Sequence, residues 1–484
     1  MLSKKVVTIS GGSGGFTLLR GLVEYPIDII SIATVFDSGG STGVLRDAYG
    51  ALPQGDIRRC LLALIPNSSQ WRGMFMHRFS RDGFLENHAL GNLMLLAAEE
   101  RYGRADAVKV LGEMLGARGQ VMPVSVDDAH LVALLDDGSE IFTESAIDTR
   151  NILTDERKIV SVRLTKPATA CRSVLEAIKS ADYIIIGPGD LYTSLIPNLL
   201  VYRVSEAIVQ SSAKLIYVSN LMTKGAETRG YSVCDFLKAL RLYGIDRKID
   251  VVVVSLDDIP SNLIDIYRNT EHAEPAMQID YAVAMQYGIR YQIASLFSEN
   301  AANEGIIRHS AHKLGRIIMS IMEGRNDLCH LIVDLDDTLA QTTVTMRGDQ
   351  NRLEYLTLVD GALKFLLTFP GKRILLTCGE HNLQSRKLEH LGIKDLFEEI
   401  YIVPKKGDKE TIIANYLKRN GIKNPRNVIV VGDRVDAEIL YGRSLGCKTI
   451  RVQLHGGKYV GFDHNNQSDL TITSFSELQM KDIL

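Results

Sequence analysis

A run of glycines near the amino terminus stands where a strand should give way to a helix. A β-branched run precedes Gly11, Gly12, Ser13, Gly14 and Gly15, and leucines follow at helical spacing. Glycines let the backbone approach an anion, and the start of a helix offers unpaired N–H groups and the positive end of its dipole. The pattern therefore predicts a phosphate cradle. A tight turn without a ligand would have the same composition, and the run is neither a P-loop nor a dinucleotide fingerprint.

Three carboxylates are crowded together in the second half of the chain. Asp334, Asp336 and Asp337 directly follow the apolar run 330–333, which predicts a buried strand. Carboxylates this close repel each other unless a cation neutralises them, so we expect a Mg²⁺ site here. A solvated acidic turn is the alternative.

Further polar residues follow the first glycine run. Asp37 opens a second glycine loop after another apolar run, and an acid about twenty residues beyond a first phosphate loop could bind a ribose hydroxyl. Asp56 is either the N-cap of the next helix or a ligand group. Arg58 and Arg59 lie in the first turn of that helix and oppose its dipole unless an anion is nearby. We expect at least one of these arginines to bind the ligand.

Later segments add polar loops to the same predicted site. Apolar runs at 181–186, 214–219 and 250–255 predict buried parallel strands. Their loops should build the crevice in which open α/β sheets bind ligands. Thr193 and Ser194 suit phosphate oxygens, and Asn220 could read a base edge. His88 and Asn92, four residues apart, are expected on one face of a helix.

Composition narrows the class of protein. A chain of 484 residues predicts two to four domains, and a formal net charge of -3 gives no reason to expect nucleic acid or an anionic membrane as a partner. We find neither the apolar core of a signal peptide nor a run long enough to span a membrane, so we expect a cytoplasmic protein. The six cysteines are scattered without a C-x-x-C pair, which indicates neither a disulfide framework nor a zinc site.

The order and spacing of the motifs in the first two thirds of the chain resemble the bacterial gluconeogenesis factor family (YvcK-like), which is related to the 2-phospho-L-lactate transferases (CofD-like). The motifs occupy residues 11–15, 37–43, 55–58, 88–92, 187–198, 220–228 and 307–309. The resemblance covers about residues 1–322. It implies a Rossmann-like domain that binds a nucleotide or nucleotide sugar, with a UDP-sugar favoured.

The same resemblance implies which residues bind the nucleotide. They are Gly11, Gly12, Ser13, Gly14, Gly15, Asp37, Gly39, Gly40, Asp56, Arg58, His88, Asn92, Gly187, Gly189, Tyr192, Thr193, Ser194, Asn220 and Arg308. The chain departs from the common Asp-Asp-Gly-Gly pattern at Ser38. This removes one carboxylate that could bind metal or act as a base, predicts an acid-poor crevice, and favours binding over catalysis. Asp37 could still hold a cation, and the transferases use a divalent metal, so transfer chemistry stays open as an alternative.

The rest of the chain resembles the haloacid dehalogenase (HAD) superfamily across roughly residues 328–470, with all four motifs in order. The resemblance implies that Asp334 is the nucleophile that accepts the phosphoryl group and that Asp336 is the general acid and base. It further implies that Thr377 and Lys409 bind the transferring phosphate. Asp433 would complete a Mg²⁺ shell with Asp334 and Asp336. An aspartyl phosphate divides one difficult displacement into two easier ones.

Two details of this second motif set stay open. Lys405 and Lys406 are alternatives to Lys409, which is preferred because its distance from Asp433 in the sequence fits the family. Glu438 stands where an Asp is usual, with Asp436 close by, so the outer metal shell is unassigned. The intervals between the motifs are short, which predicts a nearly capless and open site.

The sequence therefore predicts two α/β, Rossmann-like domains with mainly parallel sheets. Residues 1–322 would bind a nucleotide or nucleotide sugar and regulate, residues 323–327 would form a linker, and residues 328–484 would be a HAD-like, Mg²⁺-dependent phosphohydrolase acting on a phosphate ester. In one alternative the first domain is a transferase that uses a nucleotide-diphosphate-linked substrate. In another the protein is a non-catalytic regulator of carbon flux or cell-envelope synthesis. The oligomeric state is open between monomer and homo-oligomer.

Overall fold

The computed structural model describes residues 3–80, 83, 85–150, 154–255, 259–276, 291–323, 330–369, 371–422, 424–459 and 468–478. The chain divides into two compact units. The first consists of residues 1–290 and 294–322, and the second of residues 291–293 and 323–484. Residues 324–327 of the predicted linker lie outside the described residues.

The described residues of the amino-terminal part form ten strands. They are β1 (Lys5–Ile9), β2 (Asp28–Ala33), β3 (Gln120–Pro123), β4 (Leu131–Leu135), β5 (Glu140–Phe142), β6 (Ile159–Leu164), β7 (Tyr183–Ile186), β8 (Lys214–Val218), β9 (Val251–Ser255) and β10 (Tyr291–Ala294). Seven of them form one sheet in the order β10-β9-β8-β7-β1-β2-β3. The pairings from β3 through to β9 are parallel. Strands β4, β5 and β6 form a separate antiparallel sheet.

Helices join these strands. They are Gly12–Leu22, Gly40–Tyr49, Gly55–Leu64, Gln70–Met76, Leu90–Tyr102, Ala107–Met114, Glu144–Asp148, Arg172–Lys179, Ile196–Leu199, Val204–Gln210, Val233–Leu242, Ser261–Glu271, Glu299–Asn303 and Ala311–Glu323, with a π-helical turn at Leu191–Leu195. The central strands are apolar and buried along their whole length, as in β7 and β9. Strands buried on both faces need continuous apolar runs, which is why these segments could be recognised in the sequence.

The second unit contains a six-stranded parallel sheet in the order β13-β12-β11-β14-β15-β16. Its strands are β11 (His330–Val333), β12 (Arg373–Cys378), β13 (Glu399–Val403), β14 (Val428–Gly432), β15 (Lys448–Val452) and β16 (Leu470–Ile472). Its helices are Thr342–Met346, Ala362–Thr368, His381–His390, Asp408–Arg419 and Leu440–Ser444. Short 3₁₀ turns lie at Gln350–Tyr355, Lys394–Leu396, Pro425–Asn427 and Phe475–Glu477, and a π-helical turn lies at Val435–Ile439.

The predicted fold class is confirmed: both units are α/β and their large sheets are mainly parallel. Between β11 and β12, the described residues form only short helices and turns, so this interval adds no strand for a cap domain. Within the described ranges, none of the helices combines the length and apolarity that a membrane crossing requires.

Two helices of the first unit cross at a pair of glycines. A Cβ on Gly21 would lie far inside van der Waals contact with the carbonyl oxygen of Ala311, and one on Gly315 would clash with the carbonyl oxygen of Gly21. The two backbones can approach this closely only because neither residue has a side chain. The clashing atoms belong to backbone, so they cannot rotate away.

We expect Gly315→Ala to destabilise the first unit by about 1–3 kcal/mol or more, because the added methyl group overpacks this crossing. Thermal unfolding followed by the fluorescence of Trp71, the chain's one tryptophan, measures the effect on this unit. Gly73→Ala is the matched control: it is also a helical glycine, but its Cβ would meet no atom within 4 Å. The control should keep or slightly raise the midpoint. Equal midpoints for the two variants would contradict the proposed close crossing.

Candidate functional sites

The first candidate site lies at the carboxyl edge of the seven-stranded sheet. Ile9 at the end of β1 stands opposite Ile32 of β2 and Ile186 of β7. The loops that follow these strands therefore leave the sheet at the same edge. They border a cavity of about 660 Å³. Ten of the predicted binding residues line it: Gly12, Ser13, Asp37, Gly39, Gly40, Asp56, Arg58, Asn92, Thr193 and Ser194.

The glycine loop contacts the segment that follows β7. A Cβ on Gly11 would lie 2.5 Å from the Cβ of Ser194, and one on Gly14 would lie 2.9 Å from the carbonyl of Pro188. Glycine is thus required at both positions because the two loops approach too closely to leave room for a side chain. Gly12 begins the helix that follows and lines the cavity itself.

Asp56 binds the glycine loop. The helix begins at Gly55 with Gln54 as its N-cap, so the prediction of Asp56 as the N-cap is wrong. Its carboxylate Oδ1 instead accepts a hydrogen bond of 3.0 Å from the backbone N–H of Gly12. Burial raises the pKa of Asp56 to about 6, against the opposing effect of Arg59. Asp56 therefore couples the two predicted ligand loops.

Three arginines converge on the cavity. Arg58, Arg59 and Arg78 all line it. Burial, and then the positive charges of Arg59 and Arg78, lower the pKa of Arg58. Like charges gathered in this way favour a bound anion, and guanidinium groups bind phosphate oxygens through charge-assisted hydrogen bonds. Arg78 was not among the predicted residues.

The expectation of an acid-poor crevice is wrong. Glu144, Asp148 and Asp190 line the cavity together with Asp37 and Asp56. Glu144 comes from the short helix after β5, in the antiparallel sheet. Burial, and then the charge of Asp37, raise the pKa of Glu144 to about 8. Glu144 and Asp148 lie outside the predicted motifs, which gave no sign of them, whereas Asp190 lies within the motif at 187–198.

A lysine is held between three carboxylates at one side of this cavity. The Nζ of Lys224 lies 2.8 Å from Asp190 Oδ2 and 3.3 Å from Glu227 Oε1, and it also contacts Asp148. Burial alone would lower the pKa of Lys224, but the carboxylates outweigh it and raise the pKa. Glu227 also accepts a hydrogen bond of 2.7 Å from Thr193 Oγ1. Lys224 and Glu227 were missed as site residues, although both lie in the motif at 220–228.

The remaining predicted binding residues do not line the cavity. They are Gly11, Gly14, Gly15, His88, Gly187, Gly189, Tyr192, Asn220 and Arg308. The Asn220 amide holds the backbone of Gly189, donating over 3.0 Å and accepting over 3.2 Å. The helix expected to carry both His88 and Asn92 begins only at Leu90, so that expectation is wrong. The two side chains nevertheless meet at the hydroxyl of Ser41, at 2.9 and 3.1 Å.

The second candidate site lies at the carboxyl edge of the six-stranded sheet. Val333 of β11 stands opposite Val431 of β14, and Asp334 and Asp433 follow these strands. The Nζ of Lys409 lies 2.9 Å from Asp334 Oδ1 and also contacts Glu438. The structure thus brings the predicted nucleophile together with the preferred lysine.

Three buried carboxylates converge around this lysine. Oxygen atoms of Asp334, Asp433 and Glu438 all lie within 4.8 Å of one another. Burial, followed by the charges of Asp334 and Glu438, raises the pKa of Asp433 to about 9. Burial also raises the pKa of Asp334 to about 6, although Lys409 opposes the change. One ammonium cannot balance three carboxylates, and these hard oxygen ligands fit Mg²⁺.

The structure distinguishes between Glu438 and Asp436, the two acids considered for the outer metal shell. Glu438 joins the buried cluster from the π-helical turn that follows β14. Asp436 instead forms ion pairs with Lys406 at 2.7 Å and with Arg434 at 3.1 Å. Lys406 is therefore engaged outside the cluster.

The crowded acids after β11 have different hydrogen-bond partners. Asp336 accepts hydrogen bonds from Lys387 and Thr342, both at 2.6 Å, and from Gln384 at 2.8 Å. Asp337 accepts from the backbone N–H of Thr343 at 2.8 Å. The predicted metal ligand Asp336 thus lies outside the group of converging carboxylates. Burial alone would raise the pKa of Asp336, but its ion pair with Lys387 and its hydrogen bonds outweigh this and lower it.

Thr377 completes the set carried over from the sequence. It is fully buried near the end of β12, and its hydroxyl has no hydrogen-bond partner within the described part of the chain. A buried donor without a partner is costly, and the oxygen of a bound phosphoryl group would satisfy it.

Comparisons with known proteins match two successive parts of the chain. A family model described as 2-phospho-L-lactate transferase CofD matches residues 6–296, and one described as Mitochondrial PGP phosphatase matches residues 306–455. The gluconeogenesis factor of Bacillus subtilis (strain 168) is 36% identical over 323 residues, which is 66% of this chain and 98% of that protein. A relative from Nostoc sp. is 40% identical over 318 residues, covering 65% of this chain and 68% of the relative.

A solved structure supports the fold of the first unit. A crystal structure of a UPF0052 family member from Bacillus halodurans superposes with a TM-score of 0.61 at 35% identity, covering 66% of this chain and 99% of that chain. The CofD model covers more than half of the sequence, and the gluconeogenesis factor of B. subtilis is matched over nearly its whole length. The chain therefore belongs to the gluconeogenesis factor family of CofD-like proteins, and it carries a carboxyl-terminal region of a phosphatase family.

Proposed function

We propose that the second unit is a Mg²⁺-dependent phosphohydrolase that forms a phosphoenzyme on Asp334. The observation that carries this proposal is the buried contact of Lys409 with Asp334, at 2.9 Å, beside the carboxylates of Asp433 and Glu438. A nucleophilic carboxylate needs a cationic partner when a phosphoryl group arrives, and a buried ammonium meets that need. The match to the phosphatase family model agrees with this assignment.

The proposed chemistry follows from this chain's own residues. Asp334 attacks the phosphorus atom, and the bond between phosphorus and the leaving oxygen breaks. Lys409 and the Thr377 hydroxyl contact the transferring oxygens, and Asp336 handles the protons of the leaving group and of water. Mg²⁺ held by Asp334, Asp433 and Glu438 would offset the negative charge on the phosphoryl oxygens.

We expect Asp334→Asn to abolish phosphate release from p-nitrophenyl phosphate and from a panel of metabolite monoesters, by about a thousandfold or more, because the amide cannot form the phosphoenzyme. Full-length wild type with Mg²⁺ is the reference. Circular dichroism checks that the variant is folded. If wild type released no phosphate from any ester, the phosphohydrolase would be rejected in favour of a non-catalytic regulator.

The carboxylate cluster also predicts how Mg²⁺ affects stability. A cation that relieves the repulsion should stabilise the second unit by about 2.7 kcal/mol at a concentration one hundred times its Kd, raising its unfolding midpoint by several degrees. Asp433→Asn should lose most of this response. Asp436→Asn should keep it, because Asp436 pairs with Lys406 and Arg434 instead.

Calorimetry of the full chain measures this response. The second unit's transition is the one that Trp71 fluorescence does not report. Loss of the Mg²⁺ response in both variants would contradict the assignment of the site to the buried cluster, and so would its retention in both.

We propose that the first unit binds a nucleotide sugar, with a UDP-sugar favoured, and acts as a regulator. The cavity supports this because both arginines and carboxylates line it. Arg58, Arg59 and Arg78 lie on it with the start of the glycine-loop helix, which suits a diphosphate. Carboxylates such as Asp148 and Asp190 also line it and can accept hydrogen bonds from sugar hydroxyls.

A transferase activity of the first unit is a second candidate. The observation that favours it is the carboxyl group of Glu144 beside Asp37, which supplies the second acid that the sequence lacks at Ser38. Two neighbouring acids can move protons or hold a cation.

We expect Arg58→Ala to weaken binding of UDP-N-acetylglucosamine at least about tenfold, or about 1.4 kcal/mol, because a charge-assisted contact to phosphate is lost. Isothermal titration calorimetry of the full chain measures the affinity. Arg172→Ala is the control, since its side chain is 91% exposed and pairs only with Glu176 among the ion pairs of the described chain. Equal weakening in both variants, or no binding by wild type, would contradict the nucleotide-sugar site. Release of UDP during the titration would favour the transferase.

A further inference from the structure

Three side chains that belong to no predicted motif surround Asp336. Its Oδ1 accepts hydrogen bonds from the ammonium of Lys387 and the hydroxyl of Thr342, both at 2.6 Å. Its Oδ2 accepts one of 2.8 Å from the amide of Gln384. Lys387 and Gln384 are 3% and 2% exposed. Nothing in the proposed phosphoryl transfer accounts for a buried lysine at this position.

Local structure explains how these donors reach Asp336. Gln384 and Lys387 are three residues apart on the helix His381–His390, so they share one face. That helix follows β12, which pairs with β11, the strand that precedes Asp336. The Gln384 amide is held by a second hydrogen bond, because the same Nε2 also donates to the carbonyl of Cys378 at 3.1 Å. The orientation of Asp336 is therefore set by a rigid element.

Stability alone is a poor reason for this arrangement. Burying a lysine and a carboxylate has a desolvation cost that their attraction barely offsets, and an apolar pair of similar volume is often as stable. A buried ion pair is better explained by what it orients. The group it orients here lies two residues from Asp334, at the end of the same strand.

The donors also define the form in which Asp336 is held. An ammonium and an amide N–H can only donate, so both oxygens of Asp336 act as acceptors. A carboxylate held in one orientation can take a proton from a water molecule next to it. This is the requirement of the second half of the proposed reaction, in which water attacks the aspartyl phosphate.

We propose that Lys387, assisted by Gln384 and Thr342, is a positioning residue for hydrolysis of the phosphoenzyme, an inference that rests on the proposed phosphohydrolase function. Water oxygen forms a bond to phosphorus while the bond from phosphorus to the Asp334 oxygen breaks, and its electron pair returns to the Asp334 carboxylate. The proton of the water passes to Asp336. Inorganic phosphate leaves, and Asp336 then gives up its proton to a leaving group or to solvent.

Positioning of Asp336 matters more for hydrolysis of the phosphoenzyme than for its formation. With p-nitrophenyl phosphate the leaving group is a weak base that departs without a proton, so formation of the phosphoenzyme does not need Asp336 in a fixed orientation. Hydrolysis of the phosphoenzyme does need it. Loss of the positioning residue should therefore make the second step rate-limiting.

The test is rapid mixing of full-length Lys387→Met with p-nitrophenyl phosphate and Mg²⁺. We expect kcat to fall about 10- to 100-fold, a part of what a general base supplies, and KM to fall with it so that kcat/KM stays close to wild type. A burst of nitrophenolate approaching one per chain should precede the slow phase. Acid quenching should trap the phosphoenzyme. Lys387→Arg, which keeps a cationic donor, should restore turnover in large part.

A second variant keeps the inference testable if Lys387→Met does not fold. Thr342→Val removes one donor to Asp336 with little change of volume, and it should give a smaller fall in kcat with the same burst. If both variants lowered kcat and kcat/KM equally and without a burst, the inference would be overturned, while the proposed function would stand on the inactivity of Asp334→Asn. If wild type formed no phosphoenzyme and released no phosphate, both would fall together.

Discussion

Hydrogen-bond ladders between parallel strands hold the carboxyl ends of those strands level, and both candidate sites depend on that constraint. In the first unit, Ile9 is held opposite Ile32 and Ile186. In the second, Val333 is held opposite Val431. The loops that follow these strands therefore lie at the same edge of the sheet. Residues that are far apart in the sequence meet there, and bonds between the loops, such as that from the Gly12 N–H to Asp56, then fix the site.

Each site also places one lysine among several carboxylates. Lys224 lies between Asp148, Asp190 and Glu227, and Lys409 lies between Asp334 and Glu438. Removing such charged groups from water costs desolvation free energy, and a single ammonium leaves negative charge uncompensated. In both places a π-helical turn follows the strand and carries part of the site, at Leu191–Leu195 and at Val435–Ile439. Insertions of this kind are frequent at functional positions, because they redirect side chains that a regular helix would point elsewhere.

The sequence predicted the structural features that depend on local residue pattern. Apolar runs marked the central strands, and the residues directly after them, such as Asp37 and Asp334, were recognised because a strand end predicts its own edge of the sheet. Residues supplied by other elements could not be found in this way. Glu144 comes from a helix that follows β5, and Lys387 from a helix after β12, so their spacing from the motifs carries no signal. The N-cap alternative for Asp56 is wrong because its helix begins at Gly55, two residues earlier than an N-cap at Asp56 would require.

Ser38 shows how a missing acid can mislead. The backbone N–H of Ser38 donates to Glu144 Oε2 at 3.3 Å, and its hydroxyl oxygen accepts from the backbone N–H of Ser145 at 2.9 Å. Ser38 therefore docks the helix that brings a carboxyl group beside Asp37. An aspartate at position 38 would put a third carboxylate next to two whose repulsion already contributes to raising the pKa of Glu144 to about 8. The serine and the distant glutamate are thus physically matched, and the absence of an acid from the motif is not evidence that the site lacks one.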